Sequence, residues 1–268
     1  MNQLVHPKEK IYFILAILVT IAFYISLLFS IVGAGILIGL WVMGYISFGI
    51  FMGSIRGNAV KISEQQYPDV YRLAKQLALQ MGMKYLPAIY VLQEGGALNA
   101  FATRFTRRNF VVIFSDVFEL AYEKGESALA FILCHELAHI KCNHVRYQWL
   151  IDGAMIIPPL ATALSRAREY TCDRHAAYYR PDGISDGLTV LAAGKRLYKT
   201  INAQEFMNQT QTDKSFLIWL AEKLATHPNL PNRIREAQRI IRSTPMRMST
   251  PPTPPLQAQT APLPPHIV

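Results

Sequence analysis

Between residues 11 and 52 the sequence has no charged side chain. That absence excludes an amphipathic surface helix, which needs a polar stripe to face water. Cysteine is scarce: Cys134, Cys142 and Cys172 are the three in the chain, and none forms a C-x-x-C pair. An odd count without paired spacing gives no disulfide framework and agrees with a reducing compartment. No segment repeats at a fixed period. No nucleic-acid-binding motif accompanies the formal net charge of +9, so no nucleic-acid partner is expected. The basic residues fall in two clusters, Arg104, Arg107 and Arg108, and Arg233, Arg235, Arg239, Arg242 and Arg247. Attraction to anionic lipid headgroups explains them, or else a solvated face.

What is abundant is apolar surface, at 51% of residues, and it is concentrated near the N-terminus. As one helix, residues 11–52 would run about 63 Å, roughly twice the hydrocarbon thickness of a bilayer. Two spans fit better, 11–32 and 36–52, hinged at Gly33-Ala34-Gly35. A cleaved signal peptide would have an apolar region about half as long and no second span behind it. Lys8 and Lys10 precede the hairpin, and Arg56 and Lys61 follow it. The positive-inside rule then puts both ends in the cytoplasm, with the chain multi-pass in the cell (inner or plasma) membrane and its remaining domain cytosolic.

Beyond the hairpin, residues 63–83 carry Val70, Leu73, Leu77 and Met81 at helical spacing, with Pro68 near the start. Residues 87–92 read as a strand, Gly95-Gly96 as a turn, 97–103 as a second extended segment and 108–114 as a third. Ser115-Asp116 then resembles a helix N-cap. Helices are expected at 125–143, 165–179, 184–198, 216–225 and 232–241. Residues 148–164 are apolar but interrupted by Asp152 and Pro158-Pro159, marginal for a span and poor as an uninterrupted helix. They read as a buried or membrane-grazing connection. The last residues, with Pro251-Pro252, Pro254-Pro255 and Pro264-Pro265, cannot build a core and are expected to be disordered.

The segment FILCHELAHIKCNH, residues 131–144, contains H-E-x-x-H. Residues four apart lie nearly above one another on a helix, so His135 and His139 can aim at one ion. Glu136 lies about 100° round the helix from His135, placed to take a proton from a water activated by that ion. Zinc suits two imidazoles and a carboxylate with one position left open. Two histidines are not enough, and a third ligand must come from elsewhere. Val145 stands where a third histidine six residues after His139 would be, His144 is one residue early, and Cys142 would strain to reach the same ion. Downstream, in SRAREYTCD (residues 165–173), Glu169 and Asp173 are four apart on a predicted helix. Glu169 can complete the site, and Asp173 can hold the distal N–H of a ligating histidine. The plainer reading pairs Glu169 with Arg166 or Arg168 at the surface.

A hairpin, then NAFAT (99–103), HELAH, SRAREYTCD and THPNLPNR (226–233), in that order, resembles the HtpX-like membrane metallopeptidases, relatives of the CAAX prenyl endopeptidases. The resemblance spans roughly residues 11–241. It implies an α+β, mostly helical fold, with a transmembrane hairpin followed by a zincin-type catalytic domain with a small β-sheet. It implies one Zn2+ per chain held by His135, His139 and Glu169, Glu136 as general base and Asp173 behind a ligand. It further implies that Asn99, Ala100, Phe101 and Ala102 form an edge strand that pairs with substrate. His227 and Arg233 match a His-Pro…Arg motif near the zinc and would stabilise the oxyanion, the histidine alternatively binding metal. Two departures stand out. Cys172 replaces the alanine of many relatives, and residues 140–168 are too few for the further spans that HtpX has there.

The expectation is therefore a membrane-anchored zinc endopeptidase acting on extended or misfolded polypeptides in protein quality control. Its domains would be 1–57 (hairpin), 58–242 (peptidase) and 243–268 (tail). The alternatives are a dedicated peptide-processing protease and a proteolytically silent adaptor with a structural zinc, against which the retained Glu136 argues. Nothing in the pattern specifies an oligomeric state.

Overall fold

The computed structural model describes residues 4–29, 31–94, 99–124, 126–212 and 215–243. Two long apolar helices come first, α1 (Glu9–Leu28) and α2 (Ile31–Asn58), each long and apolar enough to cross a membrane. Their aliphatic side chains point outward, as with Ile31 at 94% exposed. The break between them falls between Leu28 and Ile31, earlier than the glycines expected to hinge it. Gly33 lies instead inside α2, where a Cβ would come within 2.6 Å of the Leu27 carbonyl oxygen. The glycine permits the close approach of the two helices rather than the turn. At 28 residues α2 is about 42 Å long, more than the hydrocarbon needs. Its final turns are packed onto the following domain, with Met52 and Ile55 buried against Tyr90, Phe110 and Val112.

Four strands form one sheet in the order β1-β2-β4-β3, comprising β1 (Val60–Lys61), β2 (Ala88–Leu92), β3 (Ala100–Phe105) and β4 (Arg108–Phe114). β2 and β4 run parallel, while β1 and β3 pair antiparallel with their neighbours. β3 is an edge strand, joined to β4 by a two-residue turn in which Thr106 and Arg107 both take positive φ (43° and 69°). The expected Gly95-Gly96 turn and the first residues of the second extended segment lie outside the described residues.

The remaining helices are α3 (Pro68–Gln80), α4 (Ser115–Lys124), α5 (Glu126–Lys141), α6 (Pro158–Tyr179), α7 (Ile184–Leu197), α8 (Ala203–Thr212), α9 (Phe216–Leu224) and α10 (Leu230–Ser243). α3 starts five residues later than its apolar spacing suggested, because Tyr67 adopts a left-handed conformation and Pro68 opens the helix. α8 was not anticipated. Residues 148–164 form neither a span nor one helix: two 3-10 turns, Gln148–Leu150 and Asp152–Ile156, lead into α6. Pro158-Pro159 starts that helix, a place where the missing N–H groups cost nothing. The proline-rich residues 244–268, expected to be disordered, lie outside the described residues.

The domain is built round α5. Every residue from Ala128 to Ala138 is buried, within a core that draws on α3, α4, α6, α7 and α10 and on one face of the sheet. That explains why this helix lacks a polar stripe, and it places His135 and Glu136 inside the protein.

Candidate metal centre

α5 and α6 lie side by side and supply the centre between them. His135 and His139, one turn apart on α5, bring their Nε2 atoms within 3.3 Å. From α6, Glu169 places one oxygen 3.3 Å from His135 Nε2 and the other 3.4 Å from His139 Nε2. These separations test whether a metal fits. With metal–ligand distances of about 2.0–2.1 Å, neighbouring corners of a zinc tetrahedron lie about 3.3–3.4 Å apart. The three donors are spaced to that measure, so the residues present fit a zinc-sized cation.

The far side of each imidazole is also held. Asp173, one turn after Glu169, lies 2.9 Å from His135 Nδ1. Asp173 is fully buried and bound in turn by Arg233 of α10, whose Nε and Nη2 each donate at 2.8 Å. Burial alone would raise the Asp173 carboxyl, but the Arg233 charge and hydrogen bonds hold it below its ordinary value. Glu169 behaves alike: burial opposes its ionisation, yet His135, His139 and Arg233 keep it well below the usual carboxylate range. Burial also disfavours a charged His135, but Asp173 and Glu169 outweigh this and raise it to about 10. The pocket between these groups is thus built to hold positive charge.

His139 is held by a different chain of contacts. Its Nδ1 lies 3.2 Å from His144 Nδ1, and Cys172 Sγ lies 3.6 Å from that same His144 atom. Thr171 of α6 accepts at 2.9 Å from the His6 backbone N–H and donates its own hydroxyl to Glu9, in the first turn of α1. Its spacing presents His144 only as a possible metal ligand, and no motif singles out Glu9. Glu9 lies too far away in the chain for any spacing argument to join the two.

Cys172 offers an alternative donor, since its thiol and ring nitrogens of His135 and His139 all lie within 4.8 Å of one another. Burial, with nearby Cys142 and carboxylates, pushes that thiol well above its ordinary value, whereas a thiol must ionise to bind metal. Glu169, held ionised, places its two oxygens 3.3 and 3.4 Å from the two ring nitrogens and is the carboxylate donor of the pair. The plainer reading of Glu169 finds no support, because Arg166 donates to the Lys223 and Ala225 carbonyls and Arg168 to Gln148. Cys142, the other nearby thiol, lies 4.0 Å from His175 Nε2.

The centre opens into a cleft of about 420 Å3 lined by Glu136, His227, Leu188 and Leu191, with Asn99–Ala102 along one wall. Leu188 and Leu191 carry no sequence signal beyond the apolar face of α7. His227 is exposed, with Nε2 3.7 Å from Glu169. Arg233 is buried and committed to Asp173, with a further contact to Glu169 at 3.4 Å. Its geometry is that of a clamp on the ligands, not of a free oxyanion donor. Along the wall, Phe114 N–H donates to the Asn99 carbonyl at 2.9 Å. Given the β3–β4 register, the alternation turns the backbone groups of Phe101 and Thr103 toward β4. Those of Ala100 and Ala102 face the open edge. The Asn99 side chain covers the Ala100 N–H at 2.9 Å, leaving the Ala102 N–H as the open donor of this wall, with the Ala100 and Ala102 carbonyls as its acceptors.

The model of peptidase family M48 matches residues 64–163 and 151–241. Two relatives, each called "Protease HtpX homolog" and from Helicobacter pylori strains Shi470 and J99, are 22% identical over 222 residues. Each alignment covers 68% of this chain and 69% of the relative.

Proposed function

This chain belongs to peptidase family M48, and from that premise we propose that it is a membrane-anchored zinc endopeptidase that cuts extended polypeptide. The carrying observation is the spacing of His135, His139 and Glu169 at 3.3–3.4 Å, beside Glu136 and an open strand edge. Those three residues would hold one zinc ion, which supplies Lewis acidity toward a carbonyl and toward water. Glu136 takes the proton of the attacking water and returns it to the leaving amine. His227, exposed at the mouth, donates to the oxygen on which negative charge develops. Asp173 and Arg233 fix the His135 ring, and His144 fixes that of His139, so neither ligand has to reorganise.

Substrate enters as an added strand along β3, its backbone paired with Ala102, while Leu188 and Leu191 exclude water from the opposite wall. A strand edge accepts only chain that is already extended, which favours unfolded or misfolded proteins and a quality-control role. The hairpin of α1 and α2 anchors the enzyme, with Lys8, Lys10, Arg56 and Lys61 keeping its peptidase domain on the cytosolic side.

The test compares detergent-solubilised wild type with Glu136→Gln on an unfolded protein, reading fragments by mass spectrometry. Cleavage by the wild type alone, stopped by a chelator, supports the assignment. If neither cuts while both retain zinc, the endopeptidase reading gives way to a dedicated substrate or a silent adaptor.

A further inference from the structure

Gly153 lies against the middle of α1. A Cβ there would come 2.8 Å from Thr20 Cγ2 and 3.1 Å from Thr20 Cα. Thr20 is eleven residues beyond Glu9, hence about 16 Å farther along the helix. Phe13 marks the intermediate level, its ring 6.4 Å from that of Tyr147 and 5.8 Å from the Arg168 guanidinium. From Tyr147 the chain therefore runs down α1 to the level of Thr20. It returns on α6, where Leu164 packs with Ala16, Ile151 and Ala154.

The outward side of this excursion is apolar and bare, with Trp149 at 64%, Met155 at 67% and Ile156 at 58% exposed. Residues 153–165 contain no charge. Gln148 ties the polar groups together, donating to Asp152 at 3.1 Å and accepting from Arg168 at 2.8 Å. Backbone donors at the turning point are placed within the segment. Ala154 N–H donates to Ile151 and Ile157 N–H to Ala154, both at 2.9 Å. At the start of α6, Pro158 and Pro159 have no N–H, and Leu160 and Ala161 both donate to the Ile157 carbonyl. A helix N-terminus normally leaves several donors for water, and this one leaves none in its first turn. Irregular chain is tolerated at membrane depth where neighbouring helices bury its backbone or it lines a cavity. Here α1 covers the inner side of the excursion, with Ala16 packed on Ile151, Ala154 and Leu164 and Thr20 against Gly153.

We propose that residues 148–157 and the first turns of α6 form a re-entrant segment that enters the bilayer beside α1, its outer face against lipid acyl chains. α9 accompanies it, tied to α6 by Thr162 and Arg166 and exposing Phe216, Leu217 and Trp219. Lys223 lies 5.9 Å over the Trp219 ring, the arrangement of an interfacial helix. This rests on the reading of α1 and α2 as a membrane anchor, and the test separates the two.

The chain has three tryptophans: Trp41 in α2, Trp149 in the excursion and Trp219 in α9. Variants with the other two changed to phenylalanine isolate Trp41 or Trp149. Met155→Trp in a tryptophan-free background reports on the deepest part. Each is reconstituted into vesicles and quenched with lipids brominated in the acyl chain, or with aqueous iodide. The expected result is that all three lose most of their emission to bromolipid and little to iodide. Met155→Trp should also respond better than Trp149 to bromine placed far down the chain. If Trp41 is quenched by bromolipid while Trp149 and Met155→Trp are quenched by iodide, the segment lies in water and the inference is overturned with the anchor intact. If Trp41 is itself quenched by iodide, the anchor and the inference fall together.

Discussion

His144 Nε2 lies 3.0 Å from a carboxylate oxygen of Glu9, a residue 135 positions earlier. One assignment of protons satisfies every group in this chain. His139 donates from Nδ1 to His144 Nδ1, and His144 donates from Nε2 to Glu9. The Thr171 hydroxyl donates to the other Glu9 oxygen, and the His6 N–H to Thr171. That tautomer leaves His139 Nε2 unprotonated and directed at Glu169, as a metal ligand requires. The first turn of α1 thus takes part in positioning His139 in the candidate metal centre.

Removing the end of that chain should loosen the metal. Glu9→Leu leaves His144 Nε2–H without its acceptor in a buried site, while Glu9→Gln keeps an acceptor oxygen. Zinc affinity, measured by competition with a chelating dye, should fall about 10–100-fold in Glu9→Leu and by less in Glu9→Gln. Equal affinity in wild type and Glu9→Leu would show that the contact is incidental.

The same chain gives the metal-free protein a pH dependence. Burial is the main reason that His144 is lowered from 6.5 to about 4, with Glu9 only partly offsetting it. Between those values the unfolded chain binds a proton that the folded chain does not. Stability is therefore full above 6.5 and lost as pH falls toward 4, at about 1.4 kcal/mol per unit for one such group. His135 works in the opposite sense: raised to about 10, it stabilises below 6.5 and loses that contribution as pH rises toward 10. Denaturant midpoints of the chelated protein should thus peak near pH 6.5, and His144→Gln should make the acid limb, to which the burial-lowered His6 and His175 also contribute, shallower while leaving the alkaline limb unchanged. A midpoint unchanged between pH 6.5 and 5 would contradict the assignment.

The parts of the centre that could be read in the sequence are those set by one helix period. His135 and His139, or Glu169 and Asp173, share a face by four-residue spacing alone, and the apolar residues round them identified α5. Contacts between distant segments left no such mark. Nothing local marks Glu9, which lies between Lys8 and Lys10, and Arg233 reads from the sequence as part of a basic cluster and of a motif whose arginine would stabilise the oxyanion. Its partner Asp173 lies sixty residues earlier on another helix. α8, with the sequence AQEFMNQTQT, escaped notice because few of its residues are apolar. The glycines at 33–35 misled for a related reason. Glycine serves both turns and close helix contacts, and only the position of Leu27 shows which applies.

Arg233 distinguishes a clamp from a catalytic donor. Arg233→Met leaves Asp173, fully buried, without its counter-charge, and should destabilise the fold by about 3–5 kcal/mol in chemical denaturation. Arg233→Met with Asp173→Asn removes both charges and should recover part of that loss. A variant as stable as wild type but deficient in kcat would return Arg233 to the role of oxyanion donor.

The strand edge offers the sharpest test of how substrate is held. Ala102 has its N–H and C=O on the open side of β3, so proline there removes a donor that β4 does not use. Edge strands tolerate that change, and the register with Val111 should survive it. Thr103, one residue on, turns its N–H toward β4, and Thr103→Pro should cost a ladder hydrogen bond and weaken the sheet. If substrate adds to β3 as a strand, Ala102→Pro keeps zinc and stability while kcat/KM on an unfolded protein falls about tenfold, the worth of one hydrogen bond of about 1–1.5 kcal/mol. Thr103→Pro should instead lower the denaturation midpoint. Wild-type kcat/KM in a folded Ala102→Pro protein would mean that substrate is gripped by side-chain pockets alone, and that the exposed edge of β3 has no part in binding it.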